Sequence, residues 1–401
     1  MSIRPGAMLG LLGGGQLGRM FIMAAQSMGY RVTVLDPANN GPASSMAERH
    51  LRADYLDPDA LRELGSSCAA VTTEFENVPA ESLKILARHC VVSPGANSVA
   101  IAQNRILEKN FLATNGFAVA PYAVIEDLED RAGSPASPGL LVESPYRDSV
   151  LLEGLFPGLL KVSRMGYDGK GQIRVNNAAE LDAAFASLNR EPCVLERLLP
   201  LECEVSVIVA RGFDSIAVTF PVSENRHHNG ILDLSIVPAG LSPALILQAR
   251  DTAISIARKL DYHGVLCVEF FVLAGDQLVV NEIAPRPHNS GHYTIDSCIT
   301  SQFEQQVRVL GGMPLGSTAT HGAAVMVNLL GDLWQEGEPE WEQVLKYPNV
   351  KLHLYGKAEA RSGRKMGHYT VLDETPEAAL QLALKIKQSL DERPRMGMGI
   401  R

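Results

Sequence analysis

The sequence predicts a mixed α/β and α+β protein: a Rossmann-like parallel-sheet domain first, a change of character from about Phe117, and antiparallel sheet towards the C-terminus. Three stretches carry that prediction. The apolar run Met8–Leu12 enters Gly13-Gly14-Gly15-Gln16-Leu17-Gly18, a G-x-G-x-x-G turn, and Asp36 ends the next strand about 20 residues on. Leu159-Leu160-Lys161-Val162 reads as a strand holding a lysine, and it runs into the glycine-rich Met165-Gly166-Tyr167-Asp168-Gly169-Lys170-Gly171-Gln172. Residues 267–272 and 278–283 are β-branched and aromatic runs on either side of Ala274-Gly275-Asp276-Gln277, which is hairpin patterning.

The composition sets limits on function. The chain has 401 residues, 46% hydrophobic and 20% charged, enough for two or three globular domains. A net charge of −9 argues against a general nucleic-acid binder. Six scattered cysteines (Cys68, Cys90, Cys193, Cys203, Cys267, Cys298) form no Cys-x-x-Cys, which suits reduced, buried thiols of a cytoplasmic protein better than disulfides or zinc. No stretch has the length or flanks of a signal peptide or a membrane span.

In chain order, helix patterning covers 19–28 and stops at Gly29, and Arg31–Leu35 is the second strand. The glycine turn signals an anion or polar ligand at a helix N-terminus more firmly than it signals NAD. Val71-Thr72-Thr73 delivers Glu74 and Asn77 to a strand's carboxyl end, where ligands of open α/β sheets sit. A capping or solvent-facing Glu74 ahead of a helix at 80–89 is the equal alternative. Val91–Val92 is a further strand. Asn97 or Ser98 caps a helix that runs to Asn115 and stops at Gly116. Its polar face carries Arg105 and Lys109, four apart and adjacent; on spacing alone that face is solvated.

A lysine within a buried strand needs an anionic partner. Lys161 and the amides of the glycine loop therefore point together to phosphate, against a plain tight turn. The loop is no Walker motif, because Gly171 follows Lys170. Cys193-Val194-Leu195 leads into Glu196-Arg197-Leu198-Leu199-Pro200, whose extended backbone can meet a base edge, and Glu204 starts the strand 205–209. Residues 224–230 form a polar loop in which His227 is either a ligand contact or a surface histidine. Ser242 and Pro243 open a packing helix ending at Leu260.

Two glutamates stand out in the hairpin. Either a two-residue or a four-residue loop sets Glu269 opposite Glu282. Opposed residues have Cβ atoms about 4.5–5.5 Å apart, where like charges repel. A hard cation between them, Mg²⁺ carrying nucleotide phosphates, removes the conflict. The alternative turns both acids to solvent and buries Asn281. The next segment, Ala284-Pro285-Arg286-Pro287-His288-Asn289-Ser290-Gly291-His292, is excluded from helix by its prolines, so the spacing of His288 and His292 is not a helical zinc pair. Beyond it come a helix at 300–310, strands at 323–329 and 351–354, and a basic cluster: Lys357, then Arg361-Ser362-Gly363-Arg364-Lys365-Met366-Gly367-His368. A positive patch on a Gly-containing loop suits a phosphate monoester; a solvated charge run is the alternative. An amphipathic helix covers 378–390, 391–401 is a tail, and 130–145 is a loop rich in Ser, Pro and Gly.

In combination these motifs resemble the ATP-grasp superfamily. Within it the glycine turn with Gln16, Thr73-Glu74-Phe75-Glu76-Asn77-Val78, 166–172, 281–292 and 363–368 are similar to the 5-(carboxyamino)imidazole ribonucleotide synthetases of purine biosynthesis, over nearly the whole chain. The resemblance implies an ATP-grasp fold divided as a Rossmann-like domain (1–117), a lid subdomain (118–199), a metal- and nucleotide-binding subdomain (200–315) and a small C-terminal domain (316–401). It implies ATP and Mg²⁺ as cofactors, bicarbonate and 5-aminoimidazole ribonucleotide as substrates, and a homodimer. ATP would be held by Arg105, Lys161, the loop Gly166, Tyr167, Asp168, Gly169, Lys170, Gly171 and Gln172, the hinge Glu196, Arg197, Leu198 and Leu199, and Glu204, His227, Asn281 and Glu282. Mg²⁺ would sit on Glu269 and Glu282. Tyr167, Arg286, His288, Asn289 and Lys365 would line the carboxylation site, with Asp168 assisting proton transfer. Gln16, Glu74 and Asn77 would face the ribonucleotide, and Lys357 and Arg364 its phosphate.

The chain departs from the family's pattern in three places. Ala284 stands where many ATP-grasp enzymes have a metal-binding Asn, leaving water or Asn281 to complete the shell. The segment 130–157 is longer than the usual connection. Arg197 follows Glu196 where Lys is commoner, a change that only backbone contacts survive untouched. The competing functions are an NAD-dependent oxidoreductase built on the glycine turn and Asp36, another ATP-grasp ligase, and a nucleotide sensor that never turns over.

Overall fold

The computed structural model describes residues 2–127, 140–143, 152–164 and 171–392, with the backbone alone at 140–143. Three sheets are present among them.

The first sheet is parallel, in the order β3-β2-β1-β4-β5: β1 Met8–Leu12, β2 Arg31–Leu35, β3 Arg49–Leu51, β4 Ala70–Thr73 and β5 Val91–Val92. Its inner strands β1, β2 and β4 are almost continuously buried, as a sheet covered on both faces requires. Helices α1 Gln16–Ser27, α2 Pro58–Ser67 and α3 Ala80–Leu86 connect the strands. The expected helix at 97–115 is two helices, α4 Ala96–Ala102 and α5 Arg105–Thr114. Asn104 caps α5, its Oδ1 accepting from the amides of Ile106 (2.9 Å) and Leu107 (3.3 Å), while Gln103 Nε2 donates to the carbonyls of Glu76 (2.5 Å) and Val78.

The second sheet runs β7-β6-β10-β8-β9: β6 Tyr122–Asp127, β7 Leu140–Glu143, β8 Gly158–Val162, β9 Gln172–Val175 and β10 Cys193–Arg197, with α6 Ala178–Ser187 packed on it. Strands β8 and β9 form a hairpin that pairs Lys161 with Gln172. Of the glycine loop between them, Gly166, Tyr167, Asp168, Gly169 and Lys170 lie outside the described residues, as do the tail 393–401 and most of the 130–145 segment.

The third sheet is the largest. It runs β16-β15-β11-β13-β14-β17-β19-β18, with β12 Ala217–Thr219 paired to β11. Its strands are β11 Leu201–Arg211, β13 Ser223–His228, β14 Ile231–Val237, β15 Gly264–Leu273, β16 Gln277–Ala284, β17 Ala323–Leu330, β18 Val350–Leu354 and β19 Lys365–Asp373. Two regions expected as loops are strands: most of the polar 224–230 segment is β13, and the end of the basic cluster, from Lys365, begins β19. β14 pairs with β17, so the sheet is continuous across residue 315. Helix α7 Pro243–Lys259, capped by Ser242 Oγ, buries Leu245, Ala249, Ala253, Ile256 and Ala257 against β11, β15 and β16. α8 Thr294–Ser297 and α9 Gln302–Leu310 follow the hairpin; α10 Glu342–Leu345 and α11 Pro376–Asp391 cover the C-terminal strands.

Gln306 is one of the ties between the first sheet and the third. Gln306 of α9 donates from Nε2 to Thr72 Oγ1 in β4 (2.9 Å) and accepts at Oε1 from the Val265 amide in β15 (2.7 Å). β4 leads directly into Glu74 and β15 carries Glu269, so this buried amide fixes the strands that position the two carboxylates relative to each other.

Candidate active site

The glutamate hairpin has the expected pairing and an unexpected path to it. Glu269 is the ladder partner of Glu282. The loop, however, is three residues, Ala274 to Asp276, with Gly275 (φ 76°) and Asp276 (φ 57°) in the left-handed region, so Leu273 pairs with Gln277. The ladder then shifts by one between Glu269 and Phe270, leaving Asn281 as a bulge residue. The bulge restores the opposition of the two acids. Partners in a ladder share a face, so both carboxylates project from one side. Asn281 contributes twice: its carbonyl accepts from Lys109 Nζ (2.8 Å), and its side-chain Oδ1 is buried without a partner among the described residues.

Arg105 and Lys109 are not on a solvated face. Lys109 is fully buried and Glu108 nearly so, while Leu107 of the same helix is 45% exposed. The two cations join Lys161 around the Glu196 carboxylate, at 3.9 Å (Arg105), 3.2 Å (Lys109) and 3.1 Å (Lys161). Lys161 and Glu196 lie diagonally on β8 and β10, since Lys161 pairs with Val194. Arg105 Nη2 also reaches Glu282 Oε2 at 3.1 Å, and Glu108 Oε1 accepts from the Ile283 amide at 2.6 Å. Burial opposes ionisation of Glu196, but the three cations outweigh it and hold the carboxyl at about 2. Burial also raises Glu108 to about 7, against Arg105, and lowers Lys161, against Glu196. A buried cluster of three cations, with Glu196 at its centre and Glu282 at its edge, is a place to receive a polyanion.

At the other acid of the pair, Glu269 Oε1 meets His288 Nε2 at 3.0 Å. The Ser290 amide lies 3.3 Å from His288 Nδ1, so Nε2 is the ring nitrogen that faces the carboxylate. Ser290 Oγ lies 2.9 Å from Nδ1 and continues through Ser206 Oγ (2.7 Å) to Asn225 Nδ2 (2.9 Å) inside the third sheet. Burial raises Glu269, and His288, His227 and Arg286 outweigh it, giving a carboxyl at about 2. His292 turns elsewhere: it is buried and bonded to Gln302 Nε2 (3.3 Å). Beside Glu269, His227 Nδ1 and Glu204 Oε2 are 3.2 Å apart; a side-chain ligand atom of each of the three lies within 4.8 Å of the others. Glu204, Asn225 and His227 line a cleft of about 300 Å³. In the segment 196–199 next to it, the amides of Arg197 and Leu198 donate to the carbonyls of Pro121 and Pro157, both at 2.9 Å.

The glycine turn is filled by the protein's own carboxylates. Glu74 accepts from the amides of Gly15 and Gly18 (2.6 Å for Gly18), and Asp36 Oδ2 accepts from the amide of Gly14 (2.8 Å) and from Tyr55 Oη (2.6 Å). A Cβ on Gly15 would lie 2.5 Å from Glu74 Oε1, and one on Gly18 would lie 3.0 Å from Oε2. The glycines thus serve close approach of an anion, as the pattern requires, but the anion is internal. That removes the dinucleotide reading. Burial lifts the Glu74 carboxyl to about 7 despite its two amide bonds. Gln16 opens α1 beside it, and Asn77 lies three residues beyond it.

Arg286 is paired with Glu76 through Nε and Nη2. Asn289 and Asn328 exchange side-chain hydrogen bonds of 3.0 and 2.7 Å. In the basic cluster Lys357 Nζ donates to the Lys365 carbonyl (2.6 Å) and Arg364 Nη1 to the Glu359 carbonyl (2.9 Å). All six cysteines are free. Among the described residues no helix is long and apolar enough to cross a membrane. Glu108 and the Ser290–Ser206 pair had no signal in the sequence, Lys109 read as solvated, and Glu76 stood in a motif without a role: the meaning of each lies in a partner far away in the chain.

Oxygen donors opposed on one strand pair, an orphaned amide oxygen beside them and cations ready for phosphate fit a hard cation and its nucleotide. This architecture and site define an ATP-grasp ligase. The ATP-grasp domain family matches residues 110–303, the ribonucleotide synthetase preATP-grasp domain 7–103, and the phosphoribosylaminoimidazole carboxylase C-terminal domain 324–382. The chain is 43% identical to the N5-carboxyaminoimidazole ribonucleotide synthase of Brucella melitensis biotype 1, over 92% of its own length and 97% of that protein's. It is 40% identical to the enzyme of the same name from Bacillus subtilis, over 94% and 95%. The Staphylococcus aureus N5-carboxyaminoimidazole synthetase complexed with ADP superposes with a TM-score of 0.84 at 36% identity, covering 96% and 98% of the two chains. The Aspergillus clavatus N5-carboxyaminoimidazole synthase, in complex with ADP and 5-aminoimidazole ribonucleotide, gives 0.83 at 30%, covering 96% and 99%. The chain belongs to the N5-carboxyaminoimidazole ribonucleotide synthase family.

Proposed function

We propose that this protein carboxylates 5-aminoimidazole ribonucleotide with bicarbonate at the expense of ATP, in purine biosynthesis. A bicarbonate oxygen attacks the γ-phosphorus of ATP; the bond to the β-phosphate oxygen breaks and ADP leaves. The resulting carboxyphosphate is attacked at carbon by the exocyclic amine. The carbon–oxygen bond to phosphate breaks, inorganic phosphate departs, and the amine loses a proton. The observation that carries this reading is the cluster of Lys161, Lys109 and Arg105 abutting the opposed pair Glu269 and Glu282.

In this reading Glu269, Glu282 and Asn281 Oδ1 hold Mg²⁺, which when bound supplies positive charge to the triphosphate oxygens. Arg105 and Lys161 take the phosphates. Glu204, His227 and the hinge at Glu196, Arg197, Leu198 and Leu199 take the nucleoside. Gly166, Tyr167, Asp168, Gly169, Lys170, Gly171 and Gln172 cover the fragile mixed anhydride, where exclusion of water matters most. Arg286, His288, Asn289, Tyr167 and Lys365 surround the carboxyl group, and Asp168 receives the amine proton. Gln16, Glu74 and Asn77 bind the ribonucleotide, with Lys357 and Arg364 on its phosphate. We read 1–117, 118–199, 200–315 and 316–401 as the functional units, and the active form as a cytoplasmic homodimer.

The test is ADP release in a coupled assay. Release that needs both bicarbonate and 5-aminoimidazole ribonucleotide supports the reading. Release that needs an amino acid instead points to another ATP-grasp ligase, and none under any of these conditions points to a sensor.

A further inference from the structure

Arg286 has five N–H donors in a planar fork, and most of them are committed. Nε and Nη2 face the two carboxylate oxygens of Glu76, with Nη2 3.2 Å from Oε1. Nη1 donates to the Pro287 carbonyl at 3.2 Å. The second N–H of Nη2, turned away from Nε, stays on the outer edge of the fork, and Nη1 carries another N–H besides the one given to Pro287. A guanidinium clamped side-on by one carboxylate thus keeps donors on its terminal nitrogens for a second oxyanion.

The clamp is held in turn. Gln103 Nε2 bonds the carbonyls of Glu76 and Val78, and Thr73 Oγ1 bonds the Phe75 carbonyl (3.0 Å). Both charges are mostly buried, with 17% of the Arg286 side chain and 26% of the Glu76 side chain exposed. The loop that carries Glu76 leaves β4 and also carries Glu74 and Asn77. Arg286 leaves β16, two residues beyond the end of the metal-site strand. The pair is therefore a direct link between the parallel sheet and the ATP-grasp sheet.

We propose that Glu76 is a positioning residue for carboxylation: it holds Arg286 side-on so that the outer edge of the guanidinium receives the bicarbonate or carboxyphosphate oxyanion, and it ties that grip to the loop bearing Glu74 and Asn77. This rests on the function proposed above, for which Glu76 had no role. Glu76 does not touch the reacting atoms. Its negative charge also repels a second oxyanion, so removing the charge mixes two opposing effects. Shortening the side chain at constant charge isolates the geometry.

The experiment is steady-state kinetics of full-length Glu76→Asp, with bicarbonate and Mg-ATP varied separately and both ADP and carboxylated product measured. The expected result is a bicarbonate KM raised by roughly tenfold or more. The Mg-ATP KM should stay within about twofold, and more ADP should be released per product formed. In an Arg286→Lys background the same change should have little further effect, because the residue acts through Arg286. An unaltered bicarbonate KM and product ratio overturn the proposal. So does a parallel rise in both KM values, which is a structural lesion. Should Glu76→Asp fold poorly, the near-isosteric Glu76→Gln replaces it and must show the same divergence in product ratio. A wild-type protein without bicarbonate-dependent ADP release defeats the function itself; an active wild type with a normal Glu76→Asp defeats this inference alone.

Discussion

Glu196 is almost completely buried and carries three cations, so its surroundings are a balance rather than a set of separate bridges. Removing one cation leaves the carboxylate under-compensated in a low-dielectric site. Breaking a buried pair in this way costs about 3–5 kcal/mol. Lys109→Met should therefore lower the unfolding free energy by that amount in urea titrations, although Lys109 lies on the helix face that spacing alone assigns to solvent. A loss well under 1 kcal/mol, the range of a surface pair, would contradict the burial. Glu74 adds a pH dependence. Its carboxyl rises from 4.5 to about 7 on folding, chiefly through burial, so the folded state holds the proton more tightly than the unfolded state. Its contribution is complete below about pH 4.5 and fades as the pH climbs through about 7. Glu76, Glu196 and Glu269, held at about 2, contribute in the opposite sense: their stabilisation is present above 4.5 and is lost as the pH falls towards 2. Between pH 5 and 7 the wild type should lose stability relative to Glu74→Gln, with Glu108 common to both. Urea midpoints across that range check it, and a constant difference would rule the Glu74 titration out.

At the scale of elements, the bulge in β16 sets the site. Without the extra residue the three-residue loop would carry its register of Leu273 with Gln277 straight up the ladder and place Asn281 opposite Glu269. Asn281 Oδ1 is already an unpartnered buried acceptor, so Asn281→Ala should cost little or nothing in thermal stability. It should raise the Mg²⁺ concentration needed for half-maximal rate if that oxygen is a ligand; an unchanged Mg²⁺ dependence would remove it from the shell. The sequence was most informative where local chemistry decides the structure. The glycine turn, the cap and first residue of α7 at Ser242 and Pro243, and the acids of the hairpin were all legible. It was least informative where tertiary contacts decide. The break between α4 and α5 has no Gly or Pro; Gln103 reaching back to Glu76 and Val78, and the Arg105 amide bonding the Ser163 carbonyl (2.8 Å), hold it open. β13 and the start of β19 read as polar loops because Asn225 and His368 are polar yet buried, bonded to Ser235 and Tyr355 that lie far away in the chain. The glutamate pairing was legible although its loop was not, because the error of one residue in the loop and the extra residue of the bulge cancel.

For the whole molecule, the question is which nucleotide the assembled sheets can take. The parallel sheet offers the same turn as a dinucleotide-binding domain, yet Glu74 and Asp36 already occupy the amides that a pyrophosphate would use. A dinucleotide would have to displace two carboxylates and then sit beside them, a like-charge arrangement that the helix N-terminus cannot offset at about 0.3–1 kcal/mol. The cations lie instead between the second and third sheets, on α5 and β8, against the hairpin that carries Glu282. A ligand that binds only the folded state stabilises it by about 2.7 kcal/mol at a hundred times its Kd. Saturating Mg-ADP should therefore raise Tm by several degrees, while NAD⁺ at the same concentration should not move it. Glu282→Gln should abolish both the shift with Mg-ADP and Mg-dependent turnover, since it removes one of the two opposed carboxylate charges and with it the ion pair to Arg105. A shift with NAD⁺ that survives Glu282→Gln would return the nucleotide to the glycine turn and with it the oxidoreductase reading.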